Sequence, residues 1–222
     1  MGFFSSMSNA ISSAVSSSVS LIGTYINRTV ETIAPLISKG LDVWNKVTAI
    51  ANVVMTIAEI LKPGERLEEI GDRAMQAAIG GIKPEQFGHY DDYMTAIRHI
   101  ELDPDKTESY HKKEMMMSGL SVCSYALDQK LKLADGTSGN LWLLAAANPE
   151  YFNGQRLNAI ITSPNPVDIM YYFSGKLGPA GALSVEQKLL TLEKTLDPEK
   201  AEQLIYQDLD SAQAAMKRLP AA

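Results

Sequence analysis

The chain has 222 residues, of which 45% are hydrophobic and 21% charged, and its formal net charge is −6. This length and mixed composition allow a substantial buried core and exclude wholesale disorder. The acidic balance and the absence of Lys/Arg clusters exclude a nucleic-acid-binding surface. A single cysteine, Cys123, excludes an intramolecular disulfide framework and a cysteine-based zinc site, and its apolar surroundings predict inert core packing.

The N-terminal segment is rich in serine and free of charge. Nine of the first twenty residues are serines, and the first charged side chain is Arg28. Apolar residues recur among the serines every eleven residues, and this hendecad period of 3.67 residues per turn keeps them on one face of a helix. The pattern predicts a long amphipathic helix that needs a partner. The residues expected to contact that partner are Ile11, Val15, Val19, Ile22, Ile26, Val30, Ile33 and Trp44.

A second helix is predicted over about residues 36–62. Pro35 separates it from the first helix, because proline removes an amide donor and restrains the residue before it. The uncharged stretch 47–58 is too short for a membrane span and favours a buried bundle helix. The second helix carries an apolar seam at alternating three- and four-residue steps, namely Trp44, Val47, Ala51, Val54, Ala58 and Leu61.

Beyond Pro63–Gly64 the composition becomes that of an ordinary globular domain. Charges are evenly spaced, and the apolar pattern keeps a helical period. Helices are predicted at about 65–79, 84–101, 105–133, 139–147, 150–162, 166–174, 184–196 and 198–218. The predicted fold is all-α, with a Ser-rich amphipathic helical region over 1–62, made of two long helices, and an irregular multi-helix globular domain over 63–222.

A seven-residue repeat contains residues that match both a helix cap and two functional motifs. Leu102–Glu108 and Leu196–Glu202 share five of seven residues, and both begin Leu-Asp-Pro. Aspartate followed by proline is typical of a helix start, so both copies are interpreted as N-caps. In the first copy, Asp103, Asp105 and Thr107 also match a phosphotransferase pattern, but that chemistry needs a preceding buried strand. The same stretch mimics a calcium loop but lacks the glycine that its sixth position requires.

No recognised catalytic, cofactor-binding or metal-binding motif occurs in the chain. The spacing of His89, His99 and His111 fits no metal pattern, and nucleophile elbows, phosphate loops and dinucleotide fingerprints are missing. We therefore predict no catalytic, cofactor or metal residues and no enzymatic activity. A site assembled in three dimensions from His89, Asp91, Asp92 and His111 stays open as an alternative, although surface or capping roles are favoured.

The first functional hypothesis is a non-enzymatic helical assembly protein whose N-terminal helices oligomerise or engage a membrane, as a virion or injection-machine component would when it lines a channel through a cell envelope. The first alternative is a soluble scaffold or adaptor with these helices packed on a partner protein. The second is a secreted effector or pore-forming toxin. Met1–Ser20 lacks the basic region and compact apolar core of a secretory signal. The expected partner is a homo-oligomer or larger protein assembly, with membrane contact through residues 1–62 as an alternative.

Overall fold

The computed structural model describes residues 22–36 and 39–219, apart from the side chain of Tyr25, and within them every regular element is helical. The predicted all-α class is confirmed for this part of the chain. Two 3₁₀ turns, Ala34–Leu36 and Pro84–Gln86, lie between helices. The helices are α1 (Thr24–Ile33), α2 (Leu41–Ile57), α3 (Leu67–Ile79), α4 (Tyr90–Arg98), α5 (Pro104–Ser109), α6 (Lys112–Leu131), α7 (Gly139–Ala147), α8 (Gly154–Ile161), α9 (Pro166–Phe173), α10 (Pro179–Leu196) and α11 (Glu202–Met216).

The predicted arrangement of two long N-terminal helices is not confirmed. Residues 1–21 and 37–38 lie outside the described residues, and α1 accounts for only ten residues of the first predicted helix. The break at Pro35 is confirmed, since it lies in a 3₁₀ turn directly after α1. The helix α2 ends five residues before the predicted end at residue 62, because the chain turns there and the amides of Ile60 and Leu61 both donate to the carbonyl of Met55.

The predicted apolar seam is confirmed as a buried face from Trp44 to Val54, whereas Ala58 and Leu61 lie beyond the end of α2. Trp44, Val47, Ala51 and Val54 are all at most 1% exposed. The indole Nε1 of Trp44 donates to the carbonyl oxygen of Leu36 at 2.9 Å, which ties α2 to the preceding turn. The three- and four-residue spacing of the seam places these side chains on one helical face, as the sequence predicts.

The helices α6 and α7 lie at the centre of the described structure. α6 packs along α3 in the most extensive helix contact and also touches α1, α2 and α4, whereas α7 contacts α1, α2, α9 and α11. The buried apolar side chains form one cluster that runs from Ile22 to Ala212. Helices from both sides of residue 62 therefore share this core. The domain division at residue 62 stays a prediction from composition.

The helix predicted over 105–133 is divided into α5 and α6. Tyr110 adopts an extended backbone between them, and His111 is the N-cap of α6. The carboxylate of Glu114 accepts the backbone amide of His111 at 3.0 Å, so the third helical residue closes the start of α6 in the manner of a capping box. The sequence reasoning missed this start because histidine is an uncommon capping residue.

The helix predicted to start at Ser184 begins five residues earlier, at Pro179. Gly178 and Pro179 are the N-cap and the first residue of α10, and the helix runs through Gly181. Proline is tolerated at this position because the first amides of a helix have no partner in it. Gly178 and Pro179 thus mark the boundary between α9 and α10, and only the predicted start of α10 was wrong.

The two copies of the local repeat adopt different structures. Asp103 is an N-cap as predicted, since its Oδ1 accepts the amide of Asp105 at 3.1 Å. The prediction for the second copy was wrong, because Asp197 is the C-cap of α10 and α11 begins only at Glu202. The side chain of Lys194 donates to the carbonyls of Pro198 and Lys200, which holds the intervening residues in a turn.

Candidate functional site

The predicted interaction residues divide into a covered group and a group outside the described residues. Ile11, Val15 and Val19 belong to the second group. Val30 is half-buried against the core, and the fully covered residues are Ile22, Ile26, Ile33 and Trp44. The C-terminal part of the apolar columns is thus buried by the chain's own helices. A contact of the remaining predicted residues with an external partner stays a prediction.

Two glycines allow α1 to approach the α6–α7 connection closely. A Cβ added at Gly136 would lie 3.0 Å from the carbonyl oxygen of Arg28, and one added at Gly139 would lie 2.9 Å from the side chain of Thr32. Gly136 also has a φ of 86°, a conformation that favours glycine. Larger residues at these positions would push α1 away from the body. The position of α1 is therefore determined by its close contacts with Gly136 and Gly139.

A buried carboxylate holds the connection against which α1 packs. Asp128, near the end of α6, accepts the amides of Gly136 and Ser138, both at 2.8 Å, and the Ser138 hydroxyl at 2.7 Å. Burial raises the pKa of Asp128 to about 6, against the lowering effect of these three hydrogen bonds. No motif in the sequence singles out Asp128. Its only signal is the Asp-Gly turn at 135–136, which does not show which side chain satisfies the turn amides.

The N-terminal end of α1 meets the turn Pro84–Gln86. The amide of Thr24 donates to Oε1 of Glu85, a carboxylate placed where the helix dipole is positive. Residues 1–21 therefore join the described body beside Glu85. This contact and the close approach to Gly136 and Gly139 hold α1 in place, directly after residues 1–21.

An aromatic cavity of about 450 Å³ lies beside the same turn. Phe87 follows the turn, Tyr90 and Tyr93 belong to the first part of α4, and Tyr125 comes from α6. Their rings meet edge to face, with centroid distances of 5.7 Å for Phe87–Tyr93, 6.0 Å for Tyr90–Tyr93 and 5.3 Å for Tyr90–Tyr125. The hydroxyl of Tyr90 donates to the carbonyl of Val122 at 2.6 Å, which fixes this ring against α6. We call this space the aromatic cavity.

The rim of the aromatic cavity is polar and exposed. Glu59 and Lys130 form an ion pair at 3.1 Å, and the Lys130 ammonium also donates to the carbonyl of Ala58 at 2.7 Å. Glu59 has a φ of 57° and ends the turn after α2 in a left-handed conformation. His89 and Asp91 complete the polar rim from the N-terminal end of α4.

The four residues of the alternative three-dimensional site are not brought together. His89 and Asp91 line the aromatic cavity, whereas Asp92 does not, and His111 caps the start of α6. Within residues 22–36 and 39–219, no three His, Cys, Asp or Glu side chains are grouped as a metal ion would require. Of these four residues, the sequence therefore pointed to two that line the cavity, His89 and Asp91, but not to the aromatic residues that form its walls.

The Asp-x-Asp-x-Thr motif takes part in a structural network. The Thr107 hydroxyl donates to Oδ2 of the buried Asp72 at 2.7 Å. The Gln76 amide donates to the other Asp72 oxygen at 2.9 Å, and its carbonyl oxygen accepts the amide of Asp103, also at 2.9 Å. These bonds join α3 to the start of α5, and they give Thr107 and the backbone of Asp103 a structural role.

A second network, which the sequence analysis missed, ties α8 to α10 and α11. Glu193 is only 1% exposed and pairs with Arg156 through bonds of 2.6 and 2.8 Å. Burial acts to raise the pKa of Glu193, but Arg156 and the Tyr151 hydroxyl, at 2.9 Å, lower it overall. Lys200 bridges Glu193 and Asp208 at 3.4 and 2.6 Å. Partners this far apart in sequence leave no local pattern.

Cys123 lies in the core, as predicted, and so do the methionines of the same helix. Cys123 is fully buried, and burial raises the pKa of its thiol well above the usual range. Met116 and Met117 are buried, and Met115 is half-buried where α6 meets α3. None of these side chains forms part of the aromatic cavity.

No helix of the described ranges 22–36 and 39–219 has both the length and the hydropathy that a bilayer crossing requires. No protein-family model, curated protein or solved structure matches this chain.

Proposed function

We propose that this chain is a non-enzymatic helical assembly protein in which residues 1–21 bind a second copy of the chain. The observation that carries the proposal is the anchorage of α1. This helix holds the C-terminal part of the apolar columns in the core, and Gly136, Gly139 and Glu85 determine its position. Residues 1–21 are therefore attached to the body at Ile22, directly before Gly23, the N-cap of α1. Ile11, Val15 and Val19 are left as the residues that need a cover.

The composition of residues 1–21 favours protein over lipid as that cover. Ala10, Ala14, Ser16 and Ser20 are small enough to let helices approach closely, whereas nine serines keep the mean hydropathy low for a bilayer interior. Small residues also permit close approach within the described structure, where α1 contacts Gly136 and Gly139. A second copy supplies an identical small-faced segment, which makes a symmetric contact natural.

The test compares two double variants of the full chain. Val15→Asp with Val19→Asp places charges in the apolar columns, and Ser13→Asp with Ser17→Asp adds the same charge two residues away, outside the columns. Multi-angle light scattering over a concentration series should give a multiple of 24.2 kDa for the wild type and the serine variant. The valine variant should be a monomer, because burying unpaired carboxylates in an apolar interface costs several kcal/mol, roughly enough to dissociate it.

Two outcomes would overturn the proposal. The first is a wild type that stays monomeric at every concentration, which would favour the scaffold hypothesis with a different protein partner. The second comes from co-sedimentation with anionic and neutral vesicles. If the wild type and the serine variant pellet with lipid and the valine variant does not, residues 1–21 engage a membrane instead of a second copy of the chain.

A further inference from the structure

We infer that the aromatic cavity binds a small organic cation, a quaternary or protonated amine. Its volume of about 450 Å³ falls within the range of small-molecule sites, roughly 300–1,000 Å³. The site is independent of residues 1–21 and therefore does not rest on the proposed assembly.

The aromatic walls attract positive charge. Phe87, Tyr90, Tyr93 and Tyr125 all line the space, and each ring face carries a negative potential. The three ring pairs cross at 60 to 65°, and Phe87, Tyr90 and Tyr125 are half-buried, whereas Tyr93 is fully buried behind them. A cation over such faces gains about 0.5–2 kcal/mol for each close contact.

The charges at the rim also favour a cation over an anion. Glu59 and Lys130 neutralise each other as an ion pair, so neither is an unpaired charge at the rim. Asp91 also lines the cavity and forms no ion pair with any residue of the described part. These three ionisable side chains thus carry one net negative charge. An anionic ligand would meet Asp91 without a free cation to oppose it.

The carboxylate of Glu85, in the turn Pro84–Gln86, also acts on the aromatic cluster. Burial, followed by the nearby Glu85 carboxylate, raises the pKa of Tyr93 well above its usual range. The Tyr93 hydroxyl is fully buried and has no hydrogen-bond partner among the described residues.

The test is calorimetric titration of the full chain with two cations, choline and benzylamine. The neutral molecules 3,3-dimethyl-1-butanol and benzyl alcohol match them in shape without the charge. At least one cation should bind saturably, and its neutral counterpart should bind at least about 10-fold more weakly, since about 1.4 kcal/mol of charge-dependent attraction is tenfold in affinity.

Variants of residues that line the cavity, compared with a variant outside it, test whether the cation binds there. Asp91→Asn removes the unpaired rim charge and should weaken the cation at least about 5-fold, and Phe87→Leu should weaken it similarly by removing a ring. Asp92→Asn removes the same charge from the adjacent exposed residue, which does not line the cavity, and should change the affinity less than about twofold. The assembly variants at Val15 and Val19 should bind like the wild type.

Each contrary result overturns the inference. The first is that neither cation binds saturably. The second is that a cation binds no more tightly than its neutral counterpart. The third is that wild type and Asp91→Asn bind the cation with equal affinity. Unfolding of each variant by urea shows whether it is folded. If Phe87→Leu is not folded, the comparison between Asp91→Asn and Asp92→Asn decides alone, because both side chains are exposed.

Discussion

Gly71 and Gly119 face each other where α3 crosses α6, and neither position has room for a side chain. A Cβ at Gly119 would overlap the carbonyl oxygen of Leu67, and a Cβ at Gly71 would overlap that of Met115. We expect Gly119→Ala to lower the free energy of unfolding by about 3 kcal/mol or more, because the clashing atoms are backbone and the helices must move apart. Urea unfolding followed by circular dichroism measures the change.

Gly181→Ala is the control and should have the opposite sign. Gly181 lies inside the exposed part of α10, and an added Cβ would meet the Leu177 side chain at 3.7 Å, an ordinary van der Waals contact. Alanine should therefore stabilise the protein by about 0.4–1 kcal/mol through its helix propensity. Equal losses at both positions would contradict the close crossing of α3 and α6.

The stability of the protein should carry a signature of Asp128 between about pH 4 and 6. The pKa of Asp128 is raised to about 6 in the folded protein from 3.8, so the folded state binds the proton more tightly. Its stabilising contribution is complete below pH 4 and falls as the pH rises to 6, by up to about 3 kcal/mol. The lowered pKa values of Glu65 and Glu193 act in the other direction, and only at lower pH.

Urea unfolding of wild type and Asp128→Asn at half-unit pH steps isolates this contribution. The advantage of the wild type over the variant should shrink between pH 4 and 6. An advantage that grows over this interval would mean that the three donors to Asp128 outweigh its burial, so that the folded pKa lies below the unfolded one.

Glu193→Gln should be far more damaging than the loss of an exposed ion pair. It leaves the Arg156 guanidinium, whose side chain is 13% exposed, without a carboxylate, and we expect a loss of about 3–5 kcal/mol. Lys106→Gln removes an ion pair whose side chains are 47% and 44% exposed, and should change stability by less than about 1 kcal/mol. Thermal unfolding of the two variants tests the contrast, and similar shifts in Tm would show that the Glu193 network is dispensable.

Thr107→Val tests whether the Asp-x-Asp-x-Thr motif is structural. Valine keeps the shape but removes the hydroxyl that donates to buried Asp72, which should cost about 1–3 kcal/mol. Asp105 is exposed and only its backbone amide is used by the cap, so Asp105→Asn should cost less than about 0.5 kcal/mol. A larger effect from Asp105→Asn, measured by urea unfolding, would point to a role for its carboxylate.

Local patterns in the sequence predicted several elements well. The helix over 139–147 was predicted with the bounds that the structure has, and the break at Pro35 and the buried seam from Trp44 to Val54 were also found. Each depends on periodicity or on a proline, and both act within a few residues. Helix starts were predicted less well, because the same Leu-Asp-Pro sequence begins α5 but follows the end of α10.

The sequence by itself determined that the described chain is helical, that Cys123 is inert core, and that the apolar columns around Ile22 to Trp44 need a cover. Only the tertiary structure decided what covers them there, namely helices α6 and α7 of the same chain, which the glycines at 136 and 139 admit to close contact with α1. It likewise decided that Phe87, Tyr90 and Tyr125 share a cavity, and that Glu193 meets Arg156. Periodicity shows which face of a helix is buried, but the identity of the opposing surface depends on contacts between residues far apart in the chain.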